Sequence, residues 1–532
     1  MILLIIINLT RNLYEGSLKM GKYLLGIDHG TGGLKACIVD DELNVCSYAF
    51  REYLIHTNNQ NWSEHNPNKA WEKTCEVIKE CIKEAGISPN DIVGIANSSA
   101  LPSMVMVDKN HNPINYAYNL MDRRANKEVN WIKKNIGFNK IFDISANRLE
   151  DHPILVNLLW EKNNRTEDYD RIHKILTMDG FIRLKLTGEF TANYSSGAFF
   201  GVAYDLRNNE IKKDIISEMG IDYKKIPDFY PCEEIIGYTT KEIFSETGLP
   251  EDIPVSAGAV DCNAGWLSGG AVEPGDIQMN LGTCGVLGVI HNNSDAMLES
   301  MINCSYTTDS RNSFVSIATT TTGGQSLRYL RDNFSKMELA MEGLISKYDS
   351  YDYLNMQAEE ISPGSNGLII LPFLMGERTP IWDVNARAVV FGLSLNHSKG
   401  HLIRAMMEGV GYALYDSFRI LKDNYSLNLP LVFNEGGTKS KLWRRIITDI
   451  FNVPTVFLKE RTGAPLGNAI LAGVSTGLFD DFTIAKEKAE FIDRLDPIEK
   501  NHKIYMEYFD LYKDIYKDLK KEFPRLAELR NK

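Results

Sequence analysis

None of the eight cysteines of this 532-residue chain (Cys37, Cys46, Cys75, Cys81, Cys232, Cys262, Cys284 and Cys304) forms a CxxC pair. That excludes the usual zinc and thioredoxin-type spacings, and scattered thiols fit a reducing cytoplasm. Long apolar runs are also missing. Met1 to Asn8 is apolar, but no Lys or Arg precedes it and it is too short to span a bilayer. The expectation is a non-globular extension over residues 1–19, a functional start at Met20 and no membrane partner. Positive charge is in deficit, with 58 Lys and Arg against 70 Asp and Glu, a formal net charge of −12. Such a surface gives no electrostatic reason to expect a nucleic acid partner. Three common phosphate-binding signatures are absent as well. No GxxxxGK[ST] occurs, and the protein-kinase loop and DFG are not found. Gly30-Thr31-Gly32 opens a GxGxxG, but Lys35 takes the last glycine position. Strand-like residues then follow where a dinucleotide site needs a helix.

What is present is an ordinary globular balance, 44% hydrophobic and 24% charged, in a chain long enough for two domains. No low-complexity linker separates them, so the domains are expected to pack directly together. Tyr23 to Ile27 and Leu34 to Val39 read as the two strands of a hairpin around Asp28-His29-Gly30-Thr31-Gly32-Gly33. Ile277 to Asn280 and Val286 to Ile290 read the same way around Leu281-Gly282-Thr283-Cys284-Gly285. This strand–Gly/Thr turn–strand unit, occurring twice, is a weak internal repeat. It fits two related domains, and it fits two unrelated hairpins equally well. Helices are predicted over Trp71–Ala85, Leu402–Leu421, Lys441–Phe451 and Lys500–Leu529. Strands are predicted over Asp91–Ala96, Met104–Val107 and Ile253–Val260.

The chemistry rests on a few segments. In the first turn, glycines let backbone N–H groups face a phosphate, and Thr31 adds a hydroxyl. Asp28 alone would repel phosphate, whereas Mg²⁺ between them neutralises both. The alternative is a hairpin whose glycines merely supply positive φ. Asp261 ends a strand of small residues, where a carboxylate can accept the proton of an attacking hydroxyl or simply cap a helix. Gly436-Gly437 before Ser440, and Gly463 to Ala469, let a base or phosphate approach a helix start, or serve tight packing.

Taken in order, these segments resemble the FGGY carbohydrate kinases from about Tyr23 to Phe479. The resemblance is carried by Leu25 to Thr31, Trp62 to Pro67, Asp179-Gly180-Phe181 with Leu186 to Phe190, Gly258 to Asp261, and Leu281 to Gly285. Glu377-Arg378-Thr379-Pro380 and Glu435 to Trp443 complete it. It implies an α/β fold of two actin-like ATPase (ribonuclease H-like) domains flanking a cleft. The sugar-binding domain would span 20–272 and the ATP-binding domain 273–532. It implies an ATP- and Mg²⁺-dependent kinase acting on a small sugar or polyol, and it admits a homodimer. Asp261 would be the base and touch the substrate, with Asp28 on Mg²⁺. Thr31 and Gly32 would face the transferred phosphate and Gly282 and Thr283 the nucleotide phosphates. Gly436, Gly437 and Ser440 would lie by the adenosine. Ser99, Ala100 and Asp122 would contact the acceptor.

Three departures bear on substrate. His29 fills a variable position, and Cys284 replaces a serine. The loop Asn97 to Ser103 carries neither the Gln-Met-His of xylulokinases nor the Arg-Glu of glycerol kinases. A ketopentose such as xylulose is the first expectation. The alternatives are another small polyol, an autoinducer-type substrate, a non-catalytic sensor, and a phosphohydrolase of the same fold.

Overall fold

The computed structural model describes residues 21–530 apart from 58, 60, 343, 345, 346, 435, 460 and 461. The expected extension over 1–19, the start at Met20 and Glu435 of the C-terminal signature lie outside the described residues.

In the first half, strands β1 (Tyr23–Gly30), β2 (Gly33–Val39) and β3 (Val45–Glu52) lead into helix α1 (Pro67–Ala85). Then come β4 (Ile92–Ser99), α2 (Met178–Thr187), α3 (Tyr194–Phe200), β5 (Ile235–Tyr238), β6 (Pro254–Ser256), β7 (Ala259–Val260) and α4 (Asp261–Ser268). In the second half, β8 (Asp276–Leu281), β9 (Gly285–His291), β10 (Ile302–Ser305) and β11 (Phe314–Thr320) precede α5 (Gly324–Phe334), α6 (Ser350–Glu359) and α7 (Lys399–Asn424). The chain continues through β12 (Asn428–Asn434), α8 (Lys441–Phe451), β13 (Thr455–Leu458), α9 (Ala464–Ser475), β14 (Phe491–Leu495) and α10 (Glu499–Leu519).

Two mixed sheets result. The first has the order β3-β2-β1-β4-β6-β5, with β7 also on β4. The second has the order β10-β11-β9-β8-β12-β13-β14. Strand directions repeat as well. In each sheet a central hairpin carries an antiparallel neighbour on one side, two parallel strands on the other, and an antiparallel edge beyond them. The weak repeat around Thr31 and Thr283 is therefore the visible part of a whole repeated strand plan.

Burial explains which strands the sequence announces. β1 is covered on both faces and reads as a near-continuous apolar run. β3 alternates instead, with Ser47 and Ala49 inward and Tyr48 and Phe50 outward. That pattern is easily missed beside its polar neighbours, and β3 was not anticipated. Helix α1 starts four residues earlier than its apolar pattern suggests. The Asn66 side chain accepts from the N–H groups of Asn68 and Lys69, Pro67 fills the first turn, and Gly86 closes the helix in the left-handed region at φ 65°. Its buried stripe (Trp71, Thr74, Cys75, Ile78, Cys81) packs on the first sheet, so these thiols are core residues.

The halves meet through exchanged helices. α9, from the second half, lies on β1 and β4 of the first sheet, where a Cβ at Gly26 would collide with the carbonyl of Pro465. α4, from the first half, lies on the second sheet, where the Trp266 ring fills the space a Cβ at Gly288 would take. The two helices touch where a Cβ at Gly467 would collide with the Ala264 carbonyl. Within Gly463 to Ala469, Gly467 serves tight packing, whereas a Cβ at Gly463 would meet nothing. Small residues and Leu24, Leu267 and Leu471 fill this junction.

Candidate active site

The first hairpin pairs Gly30 with Gly33 and leaves Thr31-Gly32 as its tip. Gly32 is exposed, and a Cβ there would meet nothing within 4 Å, so the tip opens onto free space. Three residues before Thr31, Asp28 is 2% exposed. Ser98 Oγ donates to its Oδ1 at 2.8 Å, and Lys35 Nζ stands 3.8 Å from its Oδ2. Ser98 in turn accepts from Asn468 Nδ2 at 2.7 Å, and the same amide donates to the Ile27 carbonyl at 2.7 Å. A side chain of α9 thereby fixes the hydroxyl that orients Asp28.

Burial pushes the Asp28 carboxyl up from the ordinary carboxylate range, and the Lys35 charge opposes this. A buried carboxylate beside a single ammonium can still take an added cation. Among the described residues no group of three or more His, Cys, Asp or Glu forms a metal cage. Magnesium needs none, since it binds through one or two carboxylates plus substrate phosphates and water. The residues present therefore fit Mg²⁺ arriving with a nucleotide.

Asp261 is the first residue of α4, and the cap position itself belongs to Val260. Its Oδ1 accepts from the Cys262 N–H at 2.7 Å at the start of the helix. The Tyr53 phenol donates to the Gly30 carbonyl at the hairpin. Burial, followed by the charges of Asp28 and Asp261, pushes that phenol up. The charges of both acids are thus felt at this phenol.

Ser99 and Asp122 occupy positions other than those expected. Ser99 is fully buried, and its hydroxyl donates to Asp179 Oδ1 at 2.6 Å. Asp179 is also held by Arg183 at 2.7 Å and Asn193 at 3.2 Å. The serine belongs to a buried polar network beneath the cleft. Ala100 continues the strand edge, its N–H donating to the His29 carbonyl at 2.9 Å. Asp122 is also fully buried. Its oxygens accept from Ser63 N at 2.8 Å and from Arg124 N, Nε and NH2 between 2.7 and 3.1 Å. Arg124 is stacked between Trp62 and Tyr118. Asp122 therefore orients Arg124 and has no free oxygen for an acceptor hydroxyl, contrary to expectation. His29 donates to or accepts from Thr74 at 3.0 Å, and burial lowers its pKa to about 4, which keeps it neutral.

The second hairpin pairs Leu281 with Gly285 around Gly282-Thr283-Cys284. Its tip is held by the start of α5. Gly323 N donates to the Thr283 carbonyl at 2.8 Å and Gly324 N to the Gly282 carbonyl at 2.7 Å. A Cβ at Gly324 would lie 2.6 Å from that Gly282 carbonyl, so the approach requires glycine. The sequence reading missed this segment, although Thr319-Thr320-Thr321-Thr322-Gly323-Gly324 was a visible signal. The Cys284 thiol donates to the Thr321 carbonyl at 3.3 Å, away from the tip, and burial pushes its pKa up.

A cavity of about 420 Å³ opens beside this tip. Gly282, Thr283, Gly437 and Ser440 all line it, joined by Tyr351 and Asn355 of α6, which were not anticipated. Gly436 begins the short turn Gly436–Lys439 that carries Gly437. A Cβ at Gly437 would lie 2.8 Å from the Leu281 carbonyl. Ser440 caps α8 by accepting from Trp443 N at 3.1 Å and donates to Asn355 at 2.8 Å.

Two repeated α/β lobes, a glycine-bearing hairpin in each and acids beside one of them define a phosphotransferase of actin-like ATPase fold. Family models agree along most of the chain. The N-terminal domain of the FGGY family of carbohydrate kinases matches residues 23–268, and its C-terminal domain matches residues 278–476. The chain belongs to the FGGY family of carbohydrate kinases, and it is an ATP-dependent sugar kinase. It is 27% identical to a xylulose kinase of Bacillus subtilis over 497 residues, covering 92% of this chain and 96% of that one. It is also 27% identical to a gluconokinase of the same organism over 510 residues, covering 96% and 98%. The crystal structure of a xylulose kinase from Rhodospirillum rubrum superposes with a TM-score of 0.86 at 23% identity, covering 94% of this chain and all of that one. No helix among the described residues is long and apolar enough to cross a membrane.

Proposed function

We propose that the protein transfers the γ-phosphoryl group of ATP to a hydroxyl of a ketopentose, xylulose first, in the cytoplasm. The reaction is ATP + R–OH → ADP + R–O–PO₃²⁻ + H⁺. Asp261 accepts the hydroxyl proton as the acceptor oxygen bonds to the γ-phosphorus, and the bond to the bridging oxygen breaks with its electron pair leaving on ADP. Thr31 and Gly32 face the transferred group from one lobe, and Gly282 and Thr283 face the nucleotide phosphates from the other. The turn at Gly436-Gly437 and the start of α8 at Ser440 receive the adenosine. Asp28 would hold Mg²⁺, which would supply positive charge to the nucleotide phosphates. The lobes divide between 272 and 273, with the acceptor on the first and ATP on the second.

The observation that supports this reading is a buried carboxylate, Asp28, three residues before the tip of the first hairpin, on a scaffold whose second hairpin borders a cavity large enough for a nucleotide. The similarity to a xylulose kinase supports the acceptor. Gluconate is the second acceptor to test, because a gluconokinase is as similar over a slightly longer stretch. The test is ADP release with Mg-ATP across xylulose, ribulose, gluconate, glycerol and other polyols, with Asp261→Asn as control. Turnover with xylulose that the variant loses is the expected result. Turnover that ignores the acceptor, or survives in Asp261→Asn, sinks the reading.

A further inference from the structure

A second cavity, of about 90 Å³, lies in the cleft, and both lobes contribute its walls. Leu101 and Pro102, just past β4, and His152 come from the first half, and Arg378 and Trp382 come from the second. Two arginines line it, and one of them is paired, Arg148 meeting Glu299 at 2.9 Å. The half-buried Arg378 guanidinium makes no hydrogen bond or ion pair with any described residue.

The main chain that carries it is, in contrast, firmly tied. The N–H groups of Arg378 and Thr321 both donate to Glu377 Oε1, at 2.8 and 2.7 Å. Thr379 Oγ1 accepts from Thr319 N at 2.7 Å and donates to the Thr319 carbonyl at 3.1 Å. The Thr321 carbonyl takes the Cys284 thiol. Arg378 is thereby anchored to the tip at Gly282-Thr283-Cys284 while its side chain reaches toward the first lobe. Its charge is felt on both sides, at Cys284 and at His152.

A fixed backbone bearing five unused donors suits an anion that comes and goes. On the phosphotransfer reading above, on which this inference rests, the anion crossing from Thr283 toward the first lobe is the γ-phosphoryl group. We propose that Arg378 is a catalytic residue whose guanidinium donates to the oxygens of the phosphoryl group during transfer. As the acceptor oxygen binds phosphorus and the bridging bond breaks, charge spreads over the equatorial oxygens, and a planar fork meets two of them. No proton moves to or from Arg378, and the released proton goes to Asp261.

The experiment compares wild type, Arg378→Ala, Arg378→Lys and Asp261→Asn, using the acceptor that supports turnover. Arg378→Ala should lower kcat by about 10²–10³-fold, the usual loss for one oxyanion donor, while both KM values stay within about threefold. Added guanidinium should restore part of that kcat in Arg378→Ala and none in Asp261→Asn. Mg-ADP should bind Arg378→Ala normally, but aluminium fluoride should no longer tighten it. Arg378→Lys, which preserves charge and bulk, should fall between the two. A kcat within about threefold of wild type, or a loss confined to acceptor KM, overturns the proposal, and the latter result would make Arg378 an acceptor contact. Full tightening by aluminium fluoride in the variants also overturns it. If Asp261→Asn keeps its turnover, the phosphotransfer reading itself has failed, and that outcome is separate from a failure at Arg378 alone.

Discussion

Asp28 and Asn280 occupy the same place in the two halves. Each stands in the central strand, three residues before the threonine of a Gly-Thr tip. Asp261 and Ala464 also correspond, each the first residue of the helix that crosses to the opposite sheet. One strand plan thus carries two carboxylates in the first half and two neutral residues in the second. On the proposed division of labour the difference follows from charge: a lobe receiving polyphosphate would be weakened by acids beside its hairpin, and a lobe deprotonating a hydroxyl and receiving a cation would need them. The neutral asparagine is still used, because Asn280 Oδ1 accepts from the Trp266 indole at 3.1 Å.

The largest effect expected from breaking this asymmetry is at Asp261. Asp261→Asn gives the first half the neutrality of the second and should lower kcat by about 10²–10⁴-fold with nucleotide binding retained, as steady-state kinetics and ADP titration would show. Next is the junction that lets the halves differ while staying joined. Gly26→Ala forces a methyl against the Pro465 carbonyl, and a rigid backbone contact should cost about 3 kcal/mol, the upper end for overpacking, read from denaturant unfolding. The converse charge change is milder. Asn280→Asp keeps an acceptor for Trp266 but places an acid below the Gly282-Thr283 tip, and KM for ATP should rise about tenfold while acceptor KM holds.

The smallest effect is one of pH. Burial raises the Asp28 carboxyl in the folded protein, so between its ordinary and raised values the folded state holds a proton that the unfolded state has lost. Stability without ligand should then fall as pH rises through that window. Asp28→Asn should remove the fall and leave the two proteins alike at more acidic pH, which thermal unfolding across pH would measure. An unchanged slope would mean that Lys35 balances the burial.

Local pattern carried much of this in advance. The turns at Thr31 and Thr283 are legible because a two-sided central strand is a continuous apolar run, and a glycine-bearing turn must interrupt it. Asp261 is legible by its place after a strand of small residues. Burial at Ser99 and Asp122 was not, since Ser99 is held by the distant Asp179, and Asp122, though bonded mostly by its neighbour Arg124, is also tied to the distant Ser63. The same holds for Gly323-Gly324, whose role exists only because α5 begins against the second tip.

By itself the sequence determined the two hairpins, the helices with caps and apolar stripes, the order of the motifs, and hence the family. Those are consequences of near-neighbour sterics and of periodic burial. Tertiary structure alone decided that α4 and α9 trade sheets, that Asn468 reaches back to orient Asp28 through Ser98, and that Arg378 enters the cleft with its donors unused. Those relations join residues hundreds of positions apart. Only the packed chain, in which most buried polar groups find a partner, brings them together.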